Sequence, residues 1–302
     1  MTDKVPGALH ALLNEIVDYA GLFPPAGLSM PDAVHEYASH RSGNERWMLG
    51  RFVVPASRLD EFIAAIAPLD RAGQLGSRWK LSALVGPDTE RDIARVAQFN
   101  DGRDGSVVDA VEARAASVAG VEGLASALPK GMHAYVELPI TDDPEPLVAA
   151  VAAAGLRGKA RTGGVTRNLV PTPAAVARFL AACARHDLPF KCTAGLHHPF
   201  RAEYPLTYEP ESARATLLGF INVFMAAILA HEKAPEGLLR DLLEEPGSTA
   251  FRFDDDAAHW REHAVSTATI AQVRATFAIA FGSCSFREPV DEMHLRGRPL
   301  RA

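Results

Sequence analysis

Short apolar runs of strand character alternate with longer runs of helical character along the 302-residue chain, and this predicts an α/β protein with a parallel sheet. Eight strand runs, with no linker or internal repeat to divide them, select a closed (β/α)8 TIM barrel. It is read as a single domain over residues 1–302, with a C-terminal extension after about residue 282. The competing arrangement, a doubly wound open sheet, loses its main support because no glycine-rich phosphate loop follows the first strand.

The elements follow in order. The first strand is read at residues 16–22, before the loop Phe23-Pro-Pro-Ala26. A helix over 31–40 has Ser29 as its cap. The second strand, 50–54, ends at Pro55. Ser57 is then expected to cap a helix whose apolar residues Leu59, Phe62, Ile63 and Ile66 have helical spacing. The third strand, 80–85, closes on the turn Gly86-Pro87-Asp88, and a helix continues through Ile93 and Val96. Residues 102–105 read as a polar turn. The fourth strand covers 107–113, the fifth 133–138 up to Pro139, and an alanine-rich helix 145–154. The sixth strand spans 156–162. Thr172 caps a helix with Pro173 in its first turn, running to 186. The seventh strand is 189–194. Residues 211–232 read as one long helix, 250–254 as strand eight and 266–281 as the closing helix. Placing strand eight at 219–224 instead would turn Asn222 toward the active site.

Composition narrows the partners. A formal net charge of −6 without a basic run speaks against nucleic acid and anionic membranes. Cys183, Cys192 and Cys284 lack the spacing of a disulfide framework or metal ribbon. Residues 1–10 do not read as a signal peptide, and the apolar run 217–230 is too short to span a bilayer. The expectation is a cytoplasmic enzyme acting on a small anionic or carbonyl substrate. No cofactor and no metal are assigned, and homo-oligomerisation is left open.

Catalytic side chains of such barrels project from the carboxyl ends of the strands. Strand six offers Lys159 and Arg161 on one face, then Thr162, Gly163 and Gly164. Two cations in a barrel interior repel one another, which favours a neutral, nucleophilic lysine. Gly163 and Gly164 would let backbone N–H groups approach an anion. Strand seven offers Lys191 and Thr193, then His197 and His198, of which one is expected to reach the site for acid–base or metal chemistry. Strand four carries Asp109 and Glu112 on opposite faces, and strand five Tyr135 and Glu137 on one face. Asp18 and Arg51 complete the substrate-binding candidates. The loop 18–25 reads as a lip over the mouth. Cys284 lacks a recognisable partner, and residues 281–286 read as a tail packed back onto the barrel. Asp254-Asp255-Asp256 reads as a helix-start cluster, since it lacks the glycine and glutamate of a calcium loop.

Lys159-Ala-Arg-Thr-Gly163, Lys191-Cys-Thr-Ala-Gly195, Val108-Asp-Ala-Val111 and Ile16-Val-Asp-Tyr19 together resemble the deoxyribose-phosphate aldolase group of class I aldolases. The resemblance implies a Schiff-base nucleophile at Lys159, a neighbouring cation at Lys191 that favours its neutral form, and a proton-relay aspartate at Asp109. Ala194 stands where that group has a glycine. The turn Leu196-His-His-Pro199 and the lack of a Gly-Ser turn after strand eight speak against a phosphorylated substrate. Two other readings remain open. One is metal-assisted hydrolysis or isomerisation using His197 or His198 with Glu137 or Asp18. The other is a noncatalytic anion binder built from Arg51, Lys159, Arg161 and Lys191.

Overall fold

A computed structural model describes residues 5–101, 105–128 and 131–296. Residues 1–4 of the N-terminal segment, and 102–104 of the polar turn read at 102–105, lie outside the described residues. The chain opens with α1 (Gly7–Leu13) and β1 (Val17–Tyr19), then α2 (Met30–Ser42), β2 (Leu49–Pro55), α3 (Leu59–Arg71), β3 (Trp79–Leu84), α4 (Thr89–Asn100) and β4 (Ser106–Arg114). It continues through α5 (Val118–Ala127), β5 (His133–Leu138), α6 (Glu145–Ala153), β6 (Arg157–Arg161), α7 (Pro173–Arg185) and β7 (Phe190–Thr193). An excursion follows: the hairpin β8 (Ala202–Pro205) and β9 (Arg214–Leu217), α8 (Phe220–His231), α9 (Glu236–Glu244) and the antiparallel strands β10 (Phe251–Phe253), β11 (Ala257–Trp260) and β12 (His263–Ser266). Then come α10 (Thr267–Thr276), β13 (Ala278–Ser283) and α11 (Arg287–Arg296).

Eight parallel strands close the barrel in the order β1-β13-β7-β6-β5-β4-β3-β2. The fold is a (β/α)8 TIM barrel, as the alternation predicts. Strand parity does the positioning. On β7, Phe190 turns outward against Phe179 and Phe277, with ring centroids 5.5 and 5.2 Å away, so Lys191 must turn inward. Lys191 lies in register with Lys159 on β6, and Lys159 with Glu137 on β5. Helix caps behave as read at two places. Ser29 accepts from the Asp32 N–H and Thr172 from the Ala175 N–H.

Several elements differ from the reading. Ser57 caps nothing: it lies in a 3-10 turn, and α3 starts after Arg58 without a side-chain cap. The stretch read as strand eight, 250–254, does contain a strand, β10, but in the antiparallel sheet outside the barrel. The eighth barrel strand is β13, inside the stretch read as a closing helix and tail, and it joins β7 to β1. The chain passes from α10 to β13 through Phe277 alone, with no glycine or proline to mark the change. The stretch 211–232 divides into β9 and α8. Asn222 lies on α8 and faces no active site. Its carboxamide accepts from the Arg201 N–H at 3.0 Å and donates to the Leu242 and Glu245 carbonyls at 3.0 and 2.9 Å. The triple aspartate forms the β10–β11 turn rather than a helix start, with Asp254 accepting from the N–H groups of Asp256 and Ala257.

Candidate functional site

The centre of the site is Glu112. It is buried, projects inward from β4, and shares its two oxygens between both lysines. Oε2 lies 2.7 Å from Lys159 Nζ, and Oε1 accepts from Lys191 Nζ and from Ser82 Oγ, each at 2.7 Å. Burial favours the neutral acid, but the two ammonium groups outweigh it and hold Glu112 well below the usual carboxylate range.

Lys191 lies deeper. It is buried, and its ammonium also donates to Asp18. Burial opposes its charge, yet Asp18, Glu112 and Tyr135 outweigh burial and raise its pKa above that of an ordinary lysine. Asp18 in turn accepts from the Arg51 N–H at 2.8 Å. Gly50 leaves room for this arrangement, since a Cβ there would lie 2.5 Å from Asp18 Oδ1.

Lys159 forms the floor of a cavity of about 370 Å³ at the carboxyl ends of the strands. Its ammonium also lies 2.9 Å from Glu137 Oε2. Glu137 Oε1 attracts Arg161 at 3.3 Å and the exposed Arg114 at 3.4 Å. Burial raises the Glu137 pKa, but Lys159, Arg161 and Arg114 outweigh it and leave this acid below its ordinary value. The lip loop contributes Phe23, Pro24 and Pro25 to the upper wall, where Leu169, Leu206 and Leu217 join them. The cavity is therefore charged below and apolar above.

The structure brings some expected residues together and separates others. Glu137, Lys159, Arg161, Gly164, Thr193, His197 and His198 all line the cavity. Asp109 does not meet the lysines. The β3–β4 register slips at Asp109, and its carboxylate takes both Arg51 nitrogens, at 2.7 and 2.9 Å. Glu112, three residues and about 10 Å further along the strand, is the carboxylate between the lysines. Arg51 and Asp18 are held in ion pairs beneath the cavity rather than on its wall. Thr162 is buried and donates to the Ala194 carbonyl at 2.6 Å, locking the ends of β6 and β7 together. Gly163 serves backbone packing: a Cβ there would lie 2.7 Å from Gly195 Cα.

Both histidines reach the cavity, although adjacency suggested only one would. His197 Nδ1 lies 3.0 Å from Glu288 Oε2 and 3.3 Å from Ser283 Oγ, and His198 Nδ1 lies 2.6 Å from Glu292 Oε1. Among the described residues, His198, Glu288 and Glu292 form the one cluster of His, Cys, Asp or Glu side chains with the spacing of metal ligands. Sequence reasoning missed both glutamates, whose only signal is their four-residue spacing on α11. Cys284 also lines the cavity, but burial pushes its thiol up, away from a nucleophilic thiolate.

By architecture the chain is a parallel eight-stranded (β/α)8 barrel, with a buried lysine–carboxylate cluster toward the carboxyl ends of its strands. In comparisons with known proteins, the chain matches no family model, no curated protein and no solved structure.

Proposed function

We propose that the protein is a lyase of the aldolase type, in which Lys159 forms an imine with a small carbonyl substrate that carries a carboxylate. The observation that supports this reading is the placement of the two lysines on one carboxylate. Lys191 is buried and kept charged by Asp18 and Glu112, whereas Lys159, on the other oxygen of Glu112, faces the cavity. Glu137 Oε2, at 2.9 Å, is placed to take the Lys159 proton when substrate enters.

The neutral amine then attacks the carbonyl carbon. Glu137 returns its proton to the carbonyl oxygen, which takes a second from the attacking nitrogen and leaves as water, giving an iminium at Lys159. The bond between the carbons α and β to the iminium breaks with its electron pair flowing into the iminium to form an enamine, while the departing fragment's β-hydroxyl proton passes to Glu137 as that fragment becomes a carbonyl. Protonation of the resulting enamine on carbon and addition of water return Lys159. Around Glu137, Arg161 and Arg114 exceed the local negative charge and favour a carboxylate on the substrate. A purely anion-binding pocket is the weaker reading, because two of its four expected cations, Arg51 and Lys191, are tied to Asp109 and Asp18 and are not among the residues that line the cavity.

The test is borohydride reduction in the presence of pyruvate and a panel of small aldehydes, read by intact mass. A stable adduct on the wild-type chain and none on Lys159→Ala is expected. Trapping that persists in the variant refutes the assignment.

A further inference from the structure

The cavity holds a second group of ionisable side chains that imine chemistry does not use. Glu288 and Glu292 lie one turn apart on α11, hence on one face, and both turn toward His198 in the loop after β7. One donor atom from each of the three lies within 4.8 Å of the others. His198 is 6% exposed, and its ring stacks flat on Tyr204, with centroids 3.4 Å apart and planes 6° from parallel. That packing fixes the imidazole plane before any ligand arrives. Glu288 is fixed as well: its Oε2 lies 3.0 Å from His197 Nδ1 and accepts from the Tyr208 hydroxyl at 3.2 Å, while Oε1 is turned toward His198 Nε2 at 3.9 Å.

We propose that His198, Glu288 and Glu292 bind one divalent transition-metal ion of the zinc type. One imidazole and two carboxylates form a borderline nitrogen–oxygen donor set that suits such ions. Zinc holds these atoms at about 2.0–2.2 Å, so two donors of a single ion can lie up to about 4.3 Å apart. One ion takes a single nitrogen of His198, and the three donor atoms, all within 4.8 Å of one another, need to move by only about 0.5 Å to come within that span. At His198 Nδ1, the 2.6 Å contact with Glu292 has to open by roughly 0.7 Å as the ion takes the place of the proton shared there, and that proton leaves to solvent. His197 and Tyr208 act as supporting partners that orient Glu288. Because His198 and Glu288 both line the cavity, the ion would fasten α11 to the β7 loop and present its free coordination positions to the same space as Lys159. The site stands apart from the imine reading, since neither Lys159 nor Glu112 contributes to it.

The experiment is zinc titration of the full chain after removal of metal by chelation, with bound zinc counted by elemental analysis and affinity measured by calorimetry. One equivalent per chain is expected in the wild type and equally in Lys159→Ala. Glu288→Gln with Glu292→Gln should weaken binding by more than about 100-fold, the upper end of what losing a supporting partner costs, and His197→Gln by about 10-fold. Circular dichroism checks that each variant is folded, and Glu288→Gln alone replaces the double variant if the latter is not. A wild-type chain that takes up no zinc, or a folded ligand variant that binds it with unchanged affinity, overturns the proposal.

Discussion

Lys159 and Lys191 lie in register on adjacent strands and hold the two oxygens of a single buried carboxylate, Glu112. Removing that charge leaves two ammonium groups facing one another with one acid fewer. Glu112→Gln should therefore destabilise the fold by about 3–5 kcal/mol, the usual cost of breaking a buried ion pair from one side. Urea unfolding near neutral pH measures this. A midpoint shift too small to detect would mean that solvent already screens the cluster.

The same cluster sets a pH window. Glu112 and Glu137 have folded pKa values below their ordinary 4.5, so the stability they contribute is complete above 4.5 and is lost as the pH falls through the folded values. Lys191 has a raised value, so its contribution is complete below 10.5 and is lost as the pH rises beyond it. Melting temperature should be flat between these limits and fall on both sides. Glu112→Gln should flatten the acid limb and Lys191→Met the alkaline limb.

Ala194 sits in the left-handed region at φ +59°, next to Gly195 at φ +81°. A side chain is disfavoured in that conformation. Ala194→Gly should stabilise the chain by about 0.5–1 kcal/mol. Gly163→Ala should cost about 1–3 kcal/mol, because the new methyl would press on the Gly195 backbone. Thermal melts of the two variants should move in opposite directions.

Arg274 closes the barrel at its last strand. Its buried guanidinium donates to the carbonyls of Leu12 at 2.7 Å and Asn14 at 3.0 Å, and to those of Ala278 and Ile279 on β13. Arg274→Met keeps much of the volume but strips these carbonyls of their donor. With about 1–3 kcal/mol for each buried group left unpaired, a loss of roughly 3 kcal/mol or more is expected. Hydrogen exchange should show the loss first in β13 and α1.

The barrel was legible because strands such as β2, β3 and β5 end at their own stop signals, Pro55, Gly86 and Pro139. Strand β13 was not, because Ala278-Ile-Ala-Phe281 continues the apolar run of α10 and a short buried strand has no period to separate it from a helix. In the site, parity placed Lys159, Lys191 and Glu137 inside the barrel. It also placed Glu112 and Asp109 on opposite faces, but parity alone does not say which acid meets the lysines. The resemblance pointed to Asp109, whereas the register slip on β4 and the guanidinium of Arg51 engage Asp109 elsewhere. Glu288 and Glu292 lie more than 80 residues from His198, and only the closed fold brings them together.

We propose the cavity-facing lysine, and not its buried neighbour, as the reactive amine. The most direct test of this assignment is tandem mass spectrometry of the borohydride-reduced adduct after proteolysis. The mass increment should fall on Lys159, within the peptide that contains Gly158 and Ala160. An increment on Lys191, or a reduced adduct spread over surface lysines, would contradict it.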